Sequence, residues 1–122
     1  MANSFQKLPL SGSDDGRSIL ISAVTSASAT QIHTAPPSGS TITDEVYLYA
    51  YNDSTASVIL NLQWGGGLEP GDIVRTTITA RSGRNFIVDG RLIQNGHTIS
   101  AYATNGANAL AVEGFINRIT IV

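Results

Sequence analysis

Two neighbouring segments constrain this chain most: residues 44–52, DEVYLYAYN, and residues 56–64, ASVILNLQW. Each alternates between two residue sets with a period of two, and the polar stretch Asn52-Asp53-Ser54-Thr55 lies between them. Successive side chains on a strand point to opposite faces, so the pattern predicts two β-strands joined as a hairpin. On the first strand Val46, Leu48 and Ala50 share one face, and Tyr47, Tyr49 and Tyr51 share the other. On the second, Val58, Leu60, Leu62 and Trp64 line an apolar face, with Ile59, Asn61 and Gln63 opposite. The apolar sets are the expected core. Each tyrosine joins a large apolar ring to a hydroxyl, so the row of three is expected to meet a second sheet or another protein.

Strand signals recur along the rest of the chain at the spacing of a β-sandwich. They fall at Arg17–Val24, Ala29–Thr34, Ile73–Ala80, Asn85–Val88, Arg91–Gln94, His97–Ala103 and Leu110–Val122, the last expected to bend or bulge at Gly114. Pro36-Pro37-Ser38-Gly39-Ser40 reads as a loop, because proline removes ladder donors and fixes φ. Asn95-Gly96 and Asn105-Gly106 read as two-residue hairpin turns, since both residue types tolerate positive φ. No apolar i, i+3, i+4 pattern with caps predicts a helix. The expectation is an all-β, antiparallel two-sheet sandwich, jelly-roll-like, of about eight strands. Residues 17–122 form its single domain. Residues 1–16, polar and carrying Ser11-Gly12-Ser13-Asp14-Asp15-Gly16, read as an extended N-terminal arm that orders against a partner.

Composition narrows function by exclusion. The chain has 122 residues, enough for one self-supporting core. It has no cysteine, which rules out disulfides and thiolate metal sites. Net charge is −2 and only 13% of residues are charged, which argues against nucleic-acid and anionic-membrane partners. No run approaches the ~18 apolar residues of a membrane span, and residues 1–7 lack a signal core, so synthesis in the cytoplasm is expected.

The residues that could carry chemistry do not assemble into a motif. His33 and His97 stand apart from any Gly-x-Ser-x-Gly elbow, so no hydrolytic triad is expected. Two histidines without cysteine give no metal spacing, and Asp14-Asp15-Gly16 lacks the alternation of a calcium loop. The glycines at 65, 66, 67 and 71 are followed by Asp72 where a phosphate loop needs lysine. No catalytic residue, cofactor or small-molecule substrate is therefore expected. Arg75, Arg81, Arg84 and Arg91 form the densest basic stretch, a candidate rim for a protein contact.

The run Val46–Asn52, the Ser54-Thr55 turn, the strand ending Gln63-Trp64-Gly65-Gly66 and the closing Val112-Glu113-Gly114-Phe115-Ile116-Asn117-Arg118-Ile119 resemble small virion proteins of tailed bacteriophages. The resemblance covers residues 44–66 and 97–120 and implies a capsid decoration, or cement, protein. Such a protein is non-enzymatic, sits on the outer capsid surface of the virion after assembly in the host cytoplasm, and bridges subunits of the major capsid protein. It implies self-association, as a homotrimer. Tyr47, Tyr49 and Tyr51 are then the expected self-association residues, with Phe5, Leu8 and Leu10 as arm contacts and Arg75, Arg81 and Arg84 as the rim. The alternatives are another small tail or head–tail structural protein, or a sugar-binding head-fibre or tail-tip adhesin. The adhesin would use Trp64 and residues 65–67 as a platform, with Asn52, Asn61 and Gln63 as hydroxyl partners.

Overall fold

The computed structural model describes residues 3–37 and 41–121. Ser38 to Ser40 of the expected proline loop, Met1 and Ala2 of the expected arm and Val122 of the expected last strand lie outside the described residues. The described residues form nine strands and one 3-10 turn, Ser26–Ser28. The strands are β1 Ser4–Pro9, β2 Ile19–Ile21, β3 Thr30–Thr34, β4 Ile42–Asn52, β5 Val58–Trp64, β6 Ile73–Ile78, β7 Asn85–Gln94, β8 Thr98–Thr104 and β9 Leu110–Thr120. They make two antiparallel sheets, so the all-β two-sheet sandwich forms as expected. Sheet A runs β1-β9-β4-β7, with β2 beside β1 on the same edge of β9, and sheet B runs β3-β8-β5-β6.

The tyrosine and tryptophan strands do not form a hairpin. β4 pairs with β9 and β7, whereas β5 pairs with β8 and β6 in the other sheet. The reason lies in Asn52, whose side chain is fully buried. Its Nδ2 donates to the Ala56 carbonyl at 2.8 Å and to the Ile78 carbonyl on β6 at 2.9 Å, while its Oδ1 accepts from the Ser54 amide at 2.9 Å. That clasp carries the chain across the roughly 10 Å between stacked sheets instead of turning it back on itself. Both apolar faces read from the sequence consequently meet in one core. Val46, Leu48 and Ala50 point inward from sheet A, and Val58, Leu60, Leu62 and Trp64 from sheet B, all buried.

Three turn readings also change. Asn95 and Gly96 both have positive φ, 60° and 75°, and the His97 amide returns to the Gln94 carbonyl at 3.3 Å, but the turn links sheet A to sheet B. Asn105 has φ 65°, and its turn likewise crosses between sheets, from β8 to β9. The two short strands expected around Asp89-Gly90 are one strand, β7. Gly90, at φ 78°, bulges out between the pairs Arg91–Val46 and Asp89–Tyr47 and lets the ladder continue. Gly114, where a bend was expected, lies inside eleven unbroken β4–β9 pairs. Glycine is required there by close approach: a Cβ would lie 2.0 Å from the Tyr47 carbonyl oxygen.

The segment read as an arm contributes a strand. Ser4–Pro9 pairs with Phe115–Thr120 along the edge of sheet A, and Leu10 is core at 2% exposure.

Candidate interaction face

Register alone assembles an aromatic surface on the outside of sheet A. Odd-numbered residues of β1, β4 and β9 face outward, because Val46, Leu48, Ala50, Val112 and Ile116 fill the inside. Phe115 therefore stands beside Tyr47, and the two rings stack at 4.8 Å with 18° between their planes. On the other flank Tyr49 stacks on Phe86 at 4.9 Å and 17°. Cations cover both stacks: the Lys7 ammonium lies 4.3 Å from the Phe115 centroid and the Arg84 guanidinium 5.4 Å from that of Tyr49. Four large apolar side chains also open onto this face: Phe5 at 71% exposure, with Leu20, Phe86 and Leu92.

Polar groups on the face are tied to their neighbours. The Tyr47 hydroxyl donates to Glu45 Oε1 at 2.7 Å, and Asn117 donates to the same oxygen at 3.2 Å. These bonds hold the Glu45 carboxyl below its ordinary range, and the Glu45 contact raises the Tyr47 hydroxyl above its own. Tyr51 donates to Asp53 Oδ1 at 3.1 Å, and Arg84 pairs with Glu113 at 3.2 Å. The surface is thus large and aromatic, with its charged groups set around the rings. The outer face of sheet B is different: Gln31, Asn61, Gln63, Arg75, Thr77, Ser100, Tyr102 and Thr104 occupy it, with Ile59 as its exposed aliphatic.

The sequence-predicted contact residues separate accordingly. Tyr47, Tyr49, Tyr51, Phe5 and Arg84 share the sheet A face. Leu10 is buried in the core, and Leu8, half-buried, packs against that core from β1. Arg75 is on sheet B, ion-paired to Glu69 and donating to Asn61 Oδ1 at 2.9 Å. Arg81 reaches the Asp53 carbonyl at 3.3 Å from the β6–β7 loop. Arg91 lies 4.7 Å over the Trp64 ring. The four arginines form no single rim.

The expected sugar platform loses Trp64, Asn52 and Asn61 to the interior, whereas Gln63 and residues 65–67 line an open cleft with His97 and Ser100. Trp64 is 7% exposed, roofed by Arg91, and its indole N–H donates to the Leu92 carbonyl at 3.2 Å. Asn52 and Asn61 are buried and spend their amides inside the fold. An open cleft of about 440 Å³ does lie at this end, lined by Trp64, Gly65, Asp72, Leu92, Gln94 and His97 among others.

A buried ionic cluster went unread in the sequence. A register shift between Gln31 and His33 turns both Ile32 and His33 inward. His33, 1% exposed, meets Asp44, 0% exposed, across the sheets at 2.6 Å. Arg118 holds the same carboxylate with two bonds, Nε to Oδ1 at 2.9 Å and Nη2 to Oδ2 at 3.0 Å. The Ser11 amide donates to His33 Nδ1 at 3.0 Å, so Nδ1 is an acceptor and Nε2 carries the proton given to Asp44. Burial opposes ionisation of Asp44, but the hydrogen bonds from Arg118 and His33 outweigh it and hold the carboxyl below its ordinary range. With both ring nitrogens hydrogen-bonded and the ring buried, His33 clamps the two sheets together. Among the described residues no group of three or more His, Asp and Glu side chains could hold a metal ion, and no helix is long and apolar enough to cross a membrane.

No family model, curated protein or solved structure matches this chain.

Proposed function

We propose that the chain is a non-enzymatic capsid decoration protein of a tailed phage. In this reading it self-associates as a trimer and bridges major capsid protein subunits on the outer surface of the head. The observation that carries the reading is the asymmetry of the two outer faces: aromatic on sheet A, polar on sheet B. Exposed apolar patches of this kind mark association surfaces. Four strands about 4.8 Å apart and about 35 Å long give the face roughly 600 Å² of projected area. That is close to the ~800 Å² per partner of a standard interface. The rings are held in place by stacking before any partner arrives, which lowers the entropy cost of docking. The strand orders β2-β9-β4-β7 and β3-β8-β5-β6 support a jelly-roll reading, in which two Greek keys interlock. The virion assignment itself rests on the sequence resemblance in residues 44–66 and 97–120.

Light scattering on a sizing column tests the self-association, and co-sedimentation with phage heads lacking the protein tests the capsid contact. The expected mass is near three times 12.8 kDa. Tyr49→Ala should shift it toward the monomer while leaving the β spectrum unchanged. A wild-type monomer that also fails to sediment with heads would overturn the reading.

A further inference from the structure

β1 differs from every other strand in what it gives the fold. Of its six residues, Leu8 is half-buried and the other five are exposed. No β1 residue belongs to the buried core, and Leu8 only packs against it. Among the described residues the strand pairs with β9 alone and no strand pairs with its other edge. β2 already covers the first part of the same β9 edge, pairing with Leu110–Val112, while β1 covers Phe115–Thr120. The buried core therefore takes no residue from β1.

The chain is anchored abruptly where β1 ends. Leu10 is buried, the Ser11 amide is bonded to His33 and the Ser11 hydroxyl accepts from the Thr34 amide at 2.8 Å. The Gly12 amide is bonded to the Ile32 carbonyl at 2.9 Å, and a Cβ at this glycine would lie 2.4 Å from the Gln31 carbonyl oxygen. The movable unit consequently stops at Pro9, with the pivot between Pro9 and Leu10. If β1 swings away, it bares six residues of β9 edge, a template for a strand of matching register. The complement that fits this edge is β1 itself, through pairs such as Phe5–Ile119 and the Lys7 cation over Phe115.

We propose that β1 is exchanged between copies: in the self-associated protein, Ser4–Pro9 of one chain pairs with Phe115–Thr120 of a second. Exchange keeps each ladder bond and adds no new core, so it costs little beyond bringing the copies together. The inference rests on the self-association proposed above and supplies its connection between subunits.

The absence of native cysteine makes the test direct. Ser4 and Thr120 are register partners away from the aromatic face. Full-length Ser4→Cys/Thr120→Cys protein is sized by light scattering, oxidised, and run on a non-reducing denaturing gel, with each single cysteine variant as the chance level. Exchange predicts covalent dimers and trimers well above either single variant. An associated particle whose chains run as internally bridged monomers overturns exchange and leaves self-association standing. A protein that is monomeric at all concentrations overturns both. Should that pair impair folding, Lys7→Cys/Asn117→Cys reads the same register from the outer side of the sheet. Failure of a folded, associated variant to bridge at all also overturns the proposal.

Discussion

Asp44→Asn tests the buried clamp with almost no change in shape. In the native chain the bonds run in one direction: Ser11 N–H to His33 Nδ1, His33 Nε2–H to Asp44, and Arg118 to Asp44 from the other side. Every neighbour of the carboxylate is a donor. An amide has one acceptor end, so its NH2 must face an Arg118 N–H at either position, and His33 as well if it takes the place of Oδ2. Turning the histidine tautomer only moves the donor–donor clash to Ser11. Breaking a buried ion pair from one side costs about 3–5 kcal/mol. Arg118 can partly recover its loss in water, since its side chain is 29% exposed, which favours the lower end, about 3 kcal/mol. At about 2.1 cal/mol/K per residue, the unfolding entropy of this chain converts that loss to a Tm drop of roughly 12 °C. Acid provides the control. The folded Asp44 pKa lies below the ordinary value of 3.8, so its contribution is fully present above that value and is lost as pH falls through the folded one. Thermal melts by circular dichroism at pH 7 should separate the proteins by about that amount, and the gap should close below pH ~4. A variant melting within about 2 °C of the wild type at pH 7 would refute the clamp.

Other predictions follow from single contacts. Gly114→Ala puts a Cβ onto the Tyr47 carbonyl and should cost about 3 kcal/mol or more, read as loss of soluble folded protein or a steep Tm drop. Trp64→Phe removes the indole bond to the Leu92 carbonyl and weakens the Arg91 stack, for about 1–2 kcal/mol by chemical denaturation. A double-mutant cycle on Tyr47→Ala and Phe115→Ala should return a coupling of about 0.5–1.5 kcal/mol, and additive losses would mean the rings do not stack in solution.

Much of this architecture was legible because period-two alternation depends on strand and face alone. The inward sets of β4 and β5 were read residue by residue, and all are buried. Which strand lies beside which was not legible. The pairing of β4 with β9 and β7 joins segments far apart in the chain, and no local signal separates a hairpin from a crossover clasped by Asn52. β1 was hidden because an exposed edge strand needs little apolar pattern. The ring partners Phe115 and Phe86 reach Tyr47 and Tyr49 only through that long-range register. Part of the clamp could have been found: Asp44 shares the parity of Val46 and Arg118 that of Ile116, opposite charges on two inward faces. His33 could not, because its inward turn depends on a register shift that its sequence does not announce.

Tyrosine footprinting of the associated protein tests the sheet A interface most directly. Tyr47, Tyr49 and Tyr51 stand on the outer face of sheet A, and Tyr102 stands on that of sheet B as an internal reference of similar exposure. Iodination or hydroxyl-radical labelling, read by mass spectrometry, compares the four in dilute and concentrated samples. Association through the aromatic face protects the three sheet A tyrosines and leaves Tyr102 reactive. Protection of Tyr102 with the other three unchanged would place the interface on the opposite sheet and contradict that reading.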